Sequence, residues 1–144
     1  MHSILIERWN ERVNPEDTIF HIGDFAFRDT QRNIKSLIKQ LNGNKIFIKG
    51  NHDSQQHAKI IIDDLTITLA GKTFQLIHNP NQGSPWYYLV LCGHVHNRWK
   101  FKTITSCDIP FDVCNVGCDL NGFYPISIET ILKEYSNWKK QNVK

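Results

Sequence analysis

The chain has 144 residues, 40% of them hydrophobic and 22% charged, with a formal net charge of +3. That length suits one domain burying roughly two-thirds of its unfolded surface, and the composition excludes a disordered or fibrous chain. The longest apolar runs are too short to span a bilayer, and the mild positive charge does not specify nucleic acid but is compatible with an anionic phosphate substrate.

Met1-His2-Ser3-Ile4 has neither a basic segment nor a long apolar one, so no signal peptide is expected. Cys92, Cys107, Cys114 and Cys118 are then expected as reduced thiols in a cytoplasmic protein. A zinc site from Cys107, Cys114 and Cys118 is the alternative, although the spacing is not that of a zinc knuckle. Residues 3–13 read as a helix, with Leu5, Trp9 and Val13 at four-residue spacing and Asn14-Pro15 ending it. Thr18 to Ile22 reads as a strand. Thr30 is a candidate N-cap for a helix whose Ile34, Leu37, Ile38 and Leu41 form one apolar stripe, stopped by Asn42-Gly43-Asn44. The strand Lys45 to Lys49 follows, so the two strands are expected to be parallel neighbours.

Residues 54–63 read as a polar connection into a hairpin. Leu65 to Leu69 and Thr73 to Ile77 flank Ala70-Gly71-Lys72, a three-residue turn with Gly. A loop from Asn79 to Pro85 leads to a strand ending at Cys92. Arg98 to Ile104 alternates polar and apolar residues and is expected to pair with Phe111 to Val116. Ser127 caps a last helix with Ile128, Ile131, Leu132, Tyr135 and Trp138 on one face, and its lysines suit the negative end of the helix dipole. No repeat or linker divides residues 1–144, so one α/β domain is expected.

Polar groups gather at the strand ends. The first strand ends in Gly23-Asp24, the second in Gly50-Asn51-His52-Asp53, the fourth in His78, and the fifth in Gly93-His94-Val95-His96. The carboxyl ends of strands are where open α/β sheets place ligand sites. Asn51 can offer a neutral oxygen to a metal, His52 a proton, and Asp53 an orienting acceptor. A lone His at a strand end is more often a satisfied core residue, but four such coincidences in chain order are hard to explain by core packing.

These motifs, in this order, resemble the signature of the calcineurin-like metallophosphoesterases, from about residue 4 to the last helix. Phe25-Ala26-Phe27, Asn115-Val116-Gly117-Cys118-Asp119 and Tyr124-Pro125-Ile126 resemble its small bacterial and phage branch. The resemblance implies a four-layer α-β-β-α sandwich with mixed sheets. It also implies hydrolysis of a phosphoester by a metal-activated hydroxide, with two divalent ions in the intact family. By resemblance Asp24 bridges the ions, Asn51, His78 and His94 join it on one, and His96 belongs to the other. His52 would contact the phosphate or protonate the departing oxygen. Mn, Fe, Zn or Ni all suit N and O ligands.

The chain departs from the family pattern in two places. The family opens with a strand ending in Asp-x-His, and nothing before Asp24 replaces that pair, since Glu7 and Glu11 lie on the first helix. One well-formed ion site is therefore expected, and the nucleotides upstream of Met1 are expected to encode the Asp-x-His strand in frame, as in a shortened form of a longer protein. Many members also carry Asp-Arg where Phe27-Arg28 stands here, so Asp53 either steadies the catalytic His or is a turn residue. The expected substrate is a small phosphorylated molecule or nucleotide. Arg98-Trp99-Lys100-Phe101-Lys102 could grip a nucleic-acid strand, but the plainer reading is one alternating strand with its polar face in water. The rival function is a catalytically impaired scaffold of the same fold, with one ion or none.

Overall fold

The computed structural model describes residues 2–25, 31–53 and 62–142. Helix α1 (His2–Arg12) leads to strand β1 (Thr18–Ile22), helix α2 (Gln31–Gln40) and strand β2 (Asn44–Ile48). Strands β3 (Asp64–Leu69), β4 (Lys72–Ile77), β5 (Leu89–Cys92), β6 (Phe101–Ser106) and β7 (Ile109–Asn115) follow, and helix α3 (Ile128–Asn142) closes the order. This is a mixed α/β architecture on two sheets. β1 and β2 pair in parallel as a two-stranded sheet, and the second sheet has the order β3-β4-β5-β7-β6. Its outer pairs, β3–β4 and β6–β7, are antiparallel, whereas β4–β5 and β5–β7 are parallel.

One face of the large sheet carries Phe74, Leu76, Leu89, Leu91 and Cys114, and buries them with Ile22 and Ile48 of the small sheet and Ile131 and Tyr135 of α3. The alternate residues Ile77, Val90, Cys92, Phe111 and Val113 form a second core on the opposite face. That alternation is the two-residue period of a strand buried on both sides. A cavity of about 800 Å³ lies between β1, the large sheet and α3, lined by Ile22, Leu76, Leu91 and Ile131 among others. α1 is tied to the α2–β2 turn through Trp9 Nε1, which donates to the Asn42 carbonyl at 3.0 Å. Its other side meets the segment before α3, where the Arg12 guanidinium lies 4.2 Å from the Tyr124 ring centroid.

Two sequence expectations change in detail. The β3–β4 turn has two residues, not three, because Lys72 already pairs with Leu69. Ala70 and Gly71 both take positive φ, 50° and 71°, the backbone whose twist matches a hairpin. The strand expected from Arg98 runs instead from Phe101, because Asn115 takes the Lys100 and Trp99 carbonyls before strand pairing begins. In keeping with an alternating segment whose polar face is in water, the rings of Arg98 to Lys102 face inward: Trp99 packs on the second core and Phe101 stacks on Trp138, 5.7 Å between centroids. The Ser127 cap is present, its Oγ accepting from the Thr130 N–H at 3.2 Å. The Thr30 cap, Phe27-Arg28 and most of the 54–63 connection lie outside the described residues. Cys92, Cys107, Cys114 and Cys118 are free thiols, and burial pushes the Cys114 thiol up to about 12. No helix among the described residues is long and apolar enough to cross a membrane.

Candidate functional site

Strands β1, β2, β4 and β5 end at the same border, and each delivers polar side chains just past its carboxyl end. The two sheets meet there through His78. Its Nδ1 stands 2.9 Å from the Ile22 carbonyl oxygen at the end of β1. A carbonyl only accepts, so Nδ1 carries the hydrogen and His78 Nε2 points the other way. Nε2 lies 2.9 Å from Asn51 Oδ1 and 3.2 Å from Asp24 Oδ2. The same Asn51 oxygen is 3.1 Å from His94 Nδ1, and the two imidazoles meet edge to face at 5.1 Å.

The local backbone is bent to make this possible. Gly23 and Asp24 both have positive φ, 82° and 56°, and His94 and His96 have 65° and 49°. Three side-chain-bearing residues in the left-handed region at one place indicate conformations held by their surroundings. At Gly23 a Cβ would overlap His78 Nδ1, and at Gly50 it would overlap the Asp24 amide nitrogen and carboxylate. Only a residue without a side chain lets the two loops approach so closely. Asp53 holds them there: its carboxylate accepts from the backbone N–H of Asp24 at 2.8 Å, Phe25 at 2.9 Å and Gly50 at 2.9 Å. His52 is exposed, and its backbone N–H donates to Asp24 Oδ1 at 2.8 Å.

The structure thus brings Asp24, Asn51, His78 and His94 together. His96 stands apart with an exposed side chain, its Nδ1 3.6 Å from Asp119 Oδ2. Among the described residues no group of three or more His, Cys, Asp and Glu side chains stands ready to hold an ion; the Asn51 amide is what links the Asp24–His78 pair to His94. The donor chemistry nevertheless fits a cation. With the hydrogen on Nδ1, the Nε2 of His78 faces the Asp24 and Asn51 oxygens, an arrangement that a cation among them would satisfy. A carboxylate, an amide oxygen and two imidazoles are ligands for Mn, Fe, Zn or Ni.

Two residues outside this group hold the surroundings of His96 and entered the sequence reading only as part of a resemblance. Asn115 is wholly buried, and its Nδ2 donates to the carbonyls of His96 at 2.6 Å and Trp99 at 3.0 Å. Its signal is an amide ending an apolar strand. Asp119 has no such signal, because its relation to His96 is made only by folding.

Residues 1–118 match the family model for the calcineurin-like phosphoesterase superfamily domain. An uncharacterised protein of Methanocaldococcus jannaschii is 27% identical over 140 residues, spanning 92% of this chain and 74% of that protein. A solved structure from Aquifex aeolicus, of unknown function, is similar with a TM-score of 0.68 at 25% identity, covering 92% of this chain and 84% of its own. An archaeal phosphodiesterase is similar with a TM-score of 0.55 at 25% identity, covering 82% and 79%.

Proposed function

This chain belongs to the calcineurin-like phosphoesterase superfamily, and on that premise we propose that it hydrolyses phosphoric esters with the aid of a divalent cation. The observation that carries the reading is the His78 imidazole, which donates from Nδ1 to the Ile22 carbonyl and faces Asp24 and Asn51 with Nε2. Asp24, Asn51, His78 and His94 would hold one ion, Mn, Fe, Zn or Ni, and by the family resemblance Asp24 and His96 would serve a second. When bound, such ions acidify water and neutralise phosphoryl oxygens. The chain's own residues do the rest. Asp53 fixes the Gly23 and Gly50 loops by their N–H groups, so Asp24 and Asn51 keep their positions. His52, exposed and anchored on Asp24 through its own amide, is the residue that would give a proton to the departing oxygen. The similarity to an archaeal phosphodiesterase supports a small phosphodiester or nucleotide as substrate, and the inward packing of Trp99 and Phe101 argues against a nucleic-acid grip. A cytoplasmic location belongs to the same proposal and is supported by the free thiols.

The test is metal content together with turnover. Purified protein incubated with Mn, Fe or Zn and then dialysed should retain the ion and hydrolyse bis(p-nitrophenyl) phosphate. His94→Ala should lose the ion. His52→Ala should keep it while turnover falls about 10²–10⁴-fold. A chain that retains none of these ions would overturn the proposal and leave the scaffold as the better account.

A further inference from the structure

His96 poses a problem that the other donors do not. Its side chain is 81% exposed on a left-handed backbone, so neither burial nor the Asp24–Asn51–His78–His94 group fixes its ring. Asp119 lies beside it, and the fold sets their spacing. Asn115 Nδ2 donates to the His96 carbonyl, and Asn115 Oδ1 accepts from the Gly117 N–H at 2.9 Å. One fully buried amide therefore fastens the turn carrying His96 to the turn carrying Asp119. The second turn is braced from its far side, where Asn121 Nδ2 donates to the Gly117 carbonyl at 2.8 Å and Lys100 donates to Asn121 Oδ1 at 2.6 Å. A buried amide is costly unless its polar atoms are bonded, and Asn115 meets that need with the His96 and Trp99 carbonyls and the Gly117 N–H, which holds the two turns in register.

Resting on the reading of the site given above, we propose that Asp119 is a positioning residue for His96. Its carboxylate attracts the hydrogen to Nδ1 and leaves Nε2 as the donor atom for a cation. Metal-ligating imidazoles depend on such a carboxylate at the other ring nitrogen for tautomer and orientation. The 3.6 Å separation is that of an ion pair and longer than a hydrogen bond, and contacts of this kind tighten when a site is loaded. The alternative, a chance surface pair, would leave the imidazole tautomer as in free histidine, with the hydrogen on Nε2.

Two measurements decide it. In ¹⁵N NMR of cation-free protein, His96 should carry its hydrogen on Nδ1 in the wild type and on Nε2 in Asp119→Ala, with Asp119→Asn intermediate. In calorimetric titration with Mn or Zn, Asp119→Ala should weaken the ion that depends on His96 by about 10–100-fold, and should add nothing in a His96→Ala background. An unchanged tautomer, or an equal loss of affinity in the His96→Ala background, overturns the proposal. A wild-type chain that binds no cation overturns the functional reading instead, and the tautomer measurement then decides on Asp119 alone.

Discussion

Asp53 shows how one side chain can set a site without being its chemistry. A carboxylate accepting three backbone N–H groups from two loops makes charge-assisted bonds, which are shorter and stronger than neutral ones. Those loops carry Asp24 and Asn51, so their separation depends on it. The sequence left Asp53 open between a partner for the catalytic His and a turn residue, because nothing local says which backbone amides will arrive from a loop 28 residues earlier. Asp53→Ala should destabilise the chain by about 3 kcal/mol or more, since bonds to charged groups are worth about 1.5–3 kcal/mol each. Asp53→Asn, which keeps one acceptor oxygen, should cost less. Urea melts of the three proteins check this, and equal stability of wild type and Asp53→Ala would show that the loops hold without it.

At the scale of elements, what the sequence made legible was whatever depended on near neighbours. The stripe of α2, the Ser127 cap and the four strand ends with their Asp, Asn and His residues follow from spacing and turn chemistry over a few positions. The polar tie between β7 and α3 does not. Asp112 alternates with the apolar Phe111 and Val113, and accepts from Thr103 at 2.6 Å, Tyr135 at 2.6 Å and Lys139 at 2.8 Å. Burial would raise its carboxyl, but the bonds from Lys139, Thr103 and Tyr135 outweigh that and hold it below the ordinary carboxylate range. Burial and the bond to Asp112 push the Tyr135 hydroxyl upward. Because the folded-state value of Asp112 is depressed, its contribution to stability is present above the unfolded carboxylate range and is lost as pH falls through the folded value. Asp112→Asn should therefore be less stable than wild type by about 1–3 kcal/mol near neutral pH. The gap should close below about pH 4, where carboxyls protonate. Denaturant melts of both proteins across that range read it directly, and a gap independent of pH would mean that shape, not charge, holds α3 in place.

For the whole molecule, the question is what joins the two sheets. The small sheet contributes Asp24 and Asn51, the large one His78 and His94, so the site is also the seam. Away from it the joint is incomplete, for the cavity of about 800 Å³ opens between β1, the large sheet and α3. The His78 to Ile22 bond crosses the seam, and a cation held by all four residues would cross it more strongly. Such an ion binds the folded chain and not the unfolded one, so at 100 times its dissociation constant it should add about 2.7 kcal/mol. His94→Ala should remove that increment while leaving the metal-free stability close to wild type, because His94 is exposed and its described contacts are to Asn51 and the His78 ring. His78→Ala should remove the increment and also lower metal-free stability, because the Ile22 carbonyl loses a buried donor. Melts in Mn and in chelator, for the wild type and both variants, separate the two effects. If His78→Ala lost only the increment, the seam would be held by apolar packing alone, and the imidazole would serve the ion and not the fold.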